Sequence, residues 1–306
     1  MRGARSPSTS TTSTTSPRPA RGSRVTGPRP TRSIAGARRC PTTSGSTARS
    51  RPSPGVAVRR LLVTGLSGLI GGALRKHLGD RYTLRALNRR PVDGVECHQA
   101  DLGDLGAIQS AFKDVDTVVH LGAAAGDRQT PEDLLRSNVM GTYNVFEAAK
   151  RAGVKRVIFA SSGATVSGAE REPPLSHIVN GRYDELGSWS PLTHEAPLRP
   201  GGLYGATKIW GEALARVYAD SHGMSMICLR IGRVRAEDRP MAPREFSVWC
   251  SQRDIVRMLE ACIEAPPSVR FDVFYVVSAN RWSYRDLEHA RAVLGWTPVD
   301  RAEDFR

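Results

Sequence analysis

Apolar positions along this chain follow two alternating periods. Short β-branched runs such as Arg60-Leu61-Leu62-Val63-Thr64 and Thr117-Val118-Val119-His120 are apolar at nearly every inner position, as strands covered on both faces are. Between such runs, apolar residues recur at helical spacing. The pattern predicts strands near 59–64, 83–88, 95–99, 115–121, 154–160, 225–231 and 271–277, and helices over 69–79, 104–113, 131–152, 202–222, 252–264 and 283–293. Regular alternation of this kind predicts an α/β fold, a parallel sheet wound on both sides with helices. The stretch from Gly168 to Pro200 contains Pro173, Pro174, Pro191, Pro197 and Pro200, too many breakers for a simple connection, and is expected to be a substrate-side loop. No internal repeat is visible. No window approaches 18 consecutive apolar residues, so no membrane-spanning helix is expected.

Residues 1–55 break the pattern. They are Ser, Thr, Pro, Gly and Arg with almost no large apolar side chain, so nothing there offsets the entropy of ordering, and a disordered tail is expected. The ordered part is then 56–306. An Arg-rich arm for nucleic acid, an acid-free transit peptide and a tail without a role remain open for it. The chain holds 39 Arg against 5 Lys, the bias of a GC-rich coding sequence, which favours the last reading, including translated upstream sequence from a misplaced start.

The tail also explains the charge. The chain has 306 residues, 40% of them hydrophobic, and a net charge of +14, which by itself suggests a polyanion-binding protein. Residues 1–55 hold 11 Arg and no acid, leaving 33 basic against 30 acidic side chains in the remainder. The folded part is nearly balanced, and no nucleic-acid or membrane partner is expected. Five scattered cysteines without C-x-x-C, and histidines without metal-ligand spacing, predict a reduced cytoplasmic protein with no metal.

Candidate chemistry begins directly after the first strand, at Thr64-Gly65-Leu66-Ser67-Gly68-Leu69-Ile70-Gly71. A glycine pattern between a strand and a helix suits a dinucleotide. Gly65 permits the tight turn, Gly68 lets backbone amides approach the pyrophosphate, and Gly71 lets the helix pack against the sheet. Cofactor contacts are therefore expected at Gly65, Ser67, Gly68, Leu69, Ile70 and Gly71, in a Rossmann-type domain. At the end of the second strand, where a carboxylate would select NAD, stands Asn88, followed by Arg89 and Arg90, which could take a 2′-phosphate. The cofactor is then NAD or NADP, with NADP at least tolerated. Asp101 and Leu102 follow the third strand and are placed near the adenine.

Tyr204 and Lys208, in Tyr204-Gly205-Ala206-Thr207-Lys208, are four residues apart and so share one helix face. A fixed ammonium favours the phenolate of a neighbouring tyrosine, which can then accept a proton from a hydroxyl as hydride leaves the adjoining carbon. Lys208 would also hold the nicotinamide ribose.

The segments TGLSGLIGG, ADLGD, VVHLGAAA, NVMGTYNVFEAAKRAGVKRVIFASS, PLRPGGLYGATKIWGE and LRIG, in this order and spacing, resemble the extended short-chain dehydrogenase/reductases, the NAD-dependent epimerase/dehydratase family, over about residues 57 to 306. The resemblance implies cofactor contacts at Leu121, Gly122, Ala123 and Ile231. It implies that Asn138 supports an active-site proton relay and that Ser162 binds the reacting oxygen, although aligning Ala164-Thr165-Val166 with sugar epimerases puts Gly163 at the serine site. Where those epimerases carry Tyr, this chain has Ser167.

Within the family the chain is most similar to uronate dehydrogenases, through Arg244-Glu245-Phe246-Ser247-Val248-Trp249-Cys250-Ser251, Phe274-Tyr275-Val276-Val277-Ser278-Ala279-Asn280 and Leu294-Gly295-Trp296. This implies oxidation of a sugar or a sugar acid, with Arg244 gripping the carboxylate and a small substrate subdomain mainly over 232–306, and it leaves a homodimer open. Gly163 and Ala164 replace polar residues that resemble substrate contacts there. A nucleotide-sugar epimerase or dehydratase that retains its cofactor is one alternative, for which the short stretch after Ile231 leaves little room. A non-catalytic dinucleotide sensor is another, against which the intact Ser162, Tyr204 and Lys208 set argues.

Overall fold

The computed structural model describes residues 59–126 and 128–306; the expected tail at 1–55 lies outside the described residues. Seven strands form one parallel sheet: β1 (Arg60–Thr64), β2 (Thr83–Asn88), β3 (Glu96–Gln99), β4 (Thr117–His120), β5 (Arg156–Ser162), β6 (Ser225–Ile231) and β7 (Phe271–Val276). Their spatial order is β3-β2-β1-β4-β5-β6-β7. The winding reverses between β1 and β4, which opens a crevice at the carboxyl ends of those strands.

The helices are α1 (Leu69–Leu78), α2 (Leu105–Ile108), α3 (Pro131–Leu134), α4 (Gly141–Arg151), α5 (Leu175–Val179), α6 (Leu203–His222), α7 (Glu245–Val248), α8 (Gln252–Glu264) and α9 (Glu288–Leu294). Alternation along β1 shows how the two cores divide. Leu61 and Val63 pack with Leu74 of α1 and Leu259 of α8, whereas Leu62 packs with Phe146 of α4 and Tyr218 of α6. Because both faces are covered, strand residues are apolar in succession.

Several boundaries differ from the sequence expectation, each for a local reason. The helix expected over 131–152 is one rod, but Leu135–Met140 between α3 and α4 is a π-helical turn, which carries Asn138. The helix expected at 104–113 tightens to a 3-10 turn after Ile108. The helix expected from 283 starts at Glu288, because Arg285 is extended and bridges Leu192 while Asp286 Oδ1 accepts the Glu288 N–H at 2.9 Å.

The stretch from Gly168 to Pro200 contains α5 and two 3-10 turns rather than plain loop. Leu175 and Ile178 of this stretch pack with Val248 and Tyr284 in a separate apolar cluster, flanked by Trp189 and Trp282. This layer is therefore assembled from distant stretches of chain. Within the expected 232–306 subdomain, β7 instead extends the main sheet, and α8 packs on α1. Among the described residues no helix is long and apolar enough to cross a membrane, and Cys97, Cys228, Cys250 and Cys262 are free thiols.

Candidate active site

The turn after β1 forms through its glycines. Gly65 has φ +71°, and a Cβ there would lie 2.9 Å from the backbone of Gly122, so the exits of β1 and β4 touch through bare backbone. A Cβ on Gly71 would lie 2.6 Å from Leu66 Cα, which fixes how closely α1 approaches the strand. Thr64 Oγ1 accepts the Gly122 N–H at 2.9 Å and is hydrogen-bonded to His120 Nδ1 at 2.7 Å. His120 is fully enclosed, and burial, with the nearby Lys208 charge, pushes its pKa down to about 3, so the ring is neutral and serves as a spacer.

This loop fits a dinucleotide. The N-cap of α1 is Gly68, which offers no side-chain cap, and the first turn carries no acid. The first-turn amides of the helix are thus left for an incoming anion. Gly65, Gly68, Leu69, Ile70 and Gly71 line one wall of a cavity of about 730 Å³. Leu121, Ala123 and Ile231 line it further along, and Ser162, Gly163, Tyr204, Lys208 and Arg244 line its far end. Most of the residues expected to bind cofactor and substrate, from Gly65 to Arg244, are therefore brought together at the carboxyl ends of the strands.

Others of the expected set lie beside this cavity. Asn88 is buried at the end of β2, where its Oδ1 accepts the Leu66 N–H at 2.9 Å and holds the glycine turn. Ser67, Arg89 and Arg90 are exposed. Asp101 Oδ1 accepts the Gly103 N–H at 2.7 Å, and its other oxygen pairs with Arg136 at 3.4 Å. Leu102 packs against Gly122 and Gly141.

Helix α6 presents Tyr204, Lys208 and Glu212 at successive four-residue steps. Lys208 is buried, and its Nζ donates to Ala160 O at 2.8 Å and lies 5.7 Å from the Tyr204 ring centroid. Burial lowers the Lys208 pKa to about 8, against an upward pull from the Glu212 carboxylate. Glu212 in turn accepts Ser161 Oγ at 2.5 Å and Arg230 Nη2 at 2.9 Å. Ser161 thus turns to α6, whereas Ser162 Oγ, on the cavity, accepts the Ala164 N–H at 3.1 Å. Sequence reasoning missed Glu212 and Arg230, although the next four-residue step after Lys208 was there to be read.

Asn138, expected to support a proton relay, is held between the β4 exit and α6. Its Oδ1 accepts the Ala124 N–H at 2.8 Å, and its Nδ2 donates to Ala124 O at 3.0 Å and Thr207 Oγ1 at 3.2 Å. It ties the β4 exit to α6 one residue before Lys208, a positioning contact rather than a direct link to the ammonium. Arg244 is at the cavity, but its guanidinium already grips a carboxylate: Nε and Nη2 donate to the two oxygens of Glu170, each at 2.6 Å. Burial alone would lower the Arg244 pKa, but the Glu170 bonds outweigh it and raise it. The edge expected to clamp substrate is thus held by Glu170, which also accepts from Tyr284 Oη.

The fold also gathers His194, Asp272 and His289, whose potential metal-ligand atoms lie within 4.8 Å of one another. The two imidazoles are stacked 3.7 Å apart and nearly parallel, so their in-plane lone pairs cannot converge on one ion. The arrangement reads as a stacked pair with His289 bonded to Asp272.

Comparison with known proteins agrees with this geometry. Residues 61–247 match the model of the NAD dependent epimerase/dehydratase family. A uronate dehydrogenase of Agrobacterium fabrum is 36% identical over 254 residues, covering 81% of this chain and 88% of its own. An NAD-dependent glucose-6-phosphate dehydrogenase of Haloferax volcanii is 33% identical over 255 residues, covering 80% of this chain and 95% of its own. The crystal structure of uronate dehydrogenase from Agrobacterium tumefaciens superposes with a TM-score of 0.69 at 35% identity, covering 82% of this chain and 88% of that one. With a glycine turn built for a dinucleotide, a Tyr204–Lys208 helix face beside it and this match over most of its folded length, the chain belongs to the NAD-dependent epimerase/dehydratase family.

Proposed function

We propose that this protein is an NAD(P)-dependent dehydrogenase that oxidises a sugar acid at C1, with Ser162, Tyr204 and Lys208 as its catalytic residues. The observation that carries this reading is the convergence of those three side chains on the cavity that begins at the Gly65–Gly71 turn. A nicotinamide dinucleotide held by that turn supplies the hydride acceptor. The chain supplies the proton chemistry. Ser162 Oγ hydrogen-bonds the substrate hydroxyl, and the Tyr204 oxygen takes its proton. Lys208, fixed by Ala160 O and still largely protonated at neutral pH, favours the tyrosinate.

A sugar acid is supported by the excess of arginine over the one carboxylate, Glu170, among the described residues that line the cavity, and by the names of the relatives, which include uronate, glucose-6-phosphate and L-arabinose dehydrogenases. The test is absorbance at the reduced-nicotinamide band with NAD and with NADP, against glucuronate, galacturonate and the matching neutral aldoses. Net reduced cofactor with a uronate is the expected result. Absence of net reduction with every sugar would overturn the dehydrogenase reading and leave an epimerase that recycles its cofactor.

A further inference from the structure

Arg285 stands apart from the other cavity arginines. Arg244 is held by Glu170, Arg171 donates to Gly201 O at 3.0 Å, and Arg233 lies 3.6 Å from Glu245. Arg285 is 3% exposed, lines the same cavity, and its Nε and Nη1 have no hydrogen-bond partner among the described residues. A guanidinium cannot shed its proton to escape burial. Its compensation is limited to the ring faces of Tyr284 and Tyr275, 5.4 and 5.9 Å from Cζ. A buried cation with two unmet donors is costly unless an acceptor reaches it.

Its position is fixed from both sides. The backbone around Arg285 is held to the substrate-side stretch, with Leu192 N–H donating to Tyr284 O at 2.7 Å and Asp286 N–H to Leu192 O at 3.0 Å. The guanidinium lies against Gly163, where a Cβ would come 2.6 Å from Nη1 and closer still to Cζ. The absence of a side chain at 163 is what makes room for it. This places the guanidinium one residue from Ser162, which lines the same cavity where the reacting hydroxyl would sit.

We infer that Arg285 is the specificity-determining residue for the acidic group of the substrate, taking an oxyanion, carboxylate or phosphate, of an anionic sugar on the guanidinium at the cavity wall. The inference deepens the sugar-acid reading and rests on it. Glu170, the one carboxylate on the cavity wall among the described residues, is committed to Arg244 and Tyr284, so a ligand oxyanion supplies the charge that Glu170 does not. Charge-assisted bonds to a planar fork are the strong and directional kind.

The test uses the full chain and three variants, Arg285→Met, Arg285→Lys and Gly163→Ala. Substrates are glucuronate, glucose 6-phosphate and glucose, and kcat and KM are measured for each. Arg285→Met should lower kcat/KM for the favoured anionic sugar at least 30-fold, mainly through KM, with a loss on glucose at least tenfold smaller. Gly163→Ala, which retains the charge but displaces the guanidinium, should follow Arg285→Met, and Arg285→Lys should recover part of the loss. Which anionic sugar carries the effect distinguishes carboxylate from phosphate. Equal losses on anionic and neutral sugars would overturn the inference.

A second readout needs no turnover: glucuronate or glucose 6-phosphate should raise the parent Tm, and Arg285→Met should abolish that rise. If no sugar is oxidised yet this shift is present and lost in the variant, the dehydrogenase reading fails and Arg285 as the oxyanion site stands. If sugars are oxidised and the shift survives the variant, the reverse holds.

Discussion

Replacing Glu212 by Gln tests the electrostatics beneath the site. Glu212 is buried on α6 and accepts Ser161 Oγ from β5 and Arg230 Nε and Nη2 from β6. Ser161, Arg230 and Tyr275 stand directly opposite one another in adjacent strands, and Arg230 Nη1 reaches Tyr275 Oη at 3.2 Å. The carboxylate therefore fastens α6 to β5 and β6 directly, and to β7 through Arg230. Gln retains the volume and one acceptor but removes the charge. Two unit charges about 4 Å apart in an effective dielectric of about 20 attract by about 4 kcal/mol, and stranding one partner of a buried pair costs about 3–5 kcal/mol. A loss of about 3 kcal/mol in urea unfolding, read by tryptophan fluorescence, is the expected outcome. Removing the upward pull on Lys208 should also move the alkaline fall of kcat to lower pH, because the ammonium is then lost sooner. Replacing Glu212 by Leu and Arg230 by Met together should recover much of the stability but not the pH profile. A Glu212→Gln variant within about 1 kcal/mol of the parent, with an unchanged profile, would refute the reasoning.

Four further outcomes are expected. Tyr204→Phe should reduce kcat by at least ~100-fold while leaving the Kd for cofactor within about twofold, because only the proton acceptor is lost; retained turnover would remove Tyr204 from the mechanism. Gly71→Ala places a Cβ 2.6 Å from Leu66 backbone and should weaken cofactor binding at least about tenfold by calorimetry, since α1 must move off the turn; unchanged affinity would contradict the cradle. NADP should serve at least as well as NAD, because Asn88 lacks the repelling charge and Arg89 and Arg90 are exposed; an Arg89→Ala variant that loses nothing with NADP would show that the arginine takes no part. His120 has its pKa depressed by burial from 6.5 to about 3, so the unfolded chain takes up its proton first as pH falls, and the His120 contribution is full above pH 6.5 and lost on the way to about 3. Between pH 7 and 4.5 this amounts to about 2.5 kcal/mol, which His120→Asn should remove from the measured pH dependence of unfolding.

What the sequence by itself determined is local. The strand and helix order, the glycine turn and the Tyr204–Lys208 face could be read because each depends on spacings of a few residues: apolar runs, a Gly pattern at a strand exit, a four-residue helical step. The start of α9 was misplaced because a tertiary contact decides it: Arg285 extends to bridge the distant Leu192 before Asp286 opens the helix. The tertiary structure alone decided how the charges pair. Several arginines could have faced the substrate, and nothing in the spacing of Arg244 revealed that Glu170, 74 positions earlier, would hold it. Nor could it reveal that Arg230 and Glu212 would meet in the core while Arg285 came to rest on Gly163 with donors unmet. The physical reason is that the energy of a charge depends on its burial and on partners supplied by packing, both non-local. The sequence therefore placed the glycine turn and the Tyr204–Lys208 face, and the fold determined which cavity arginines are paired.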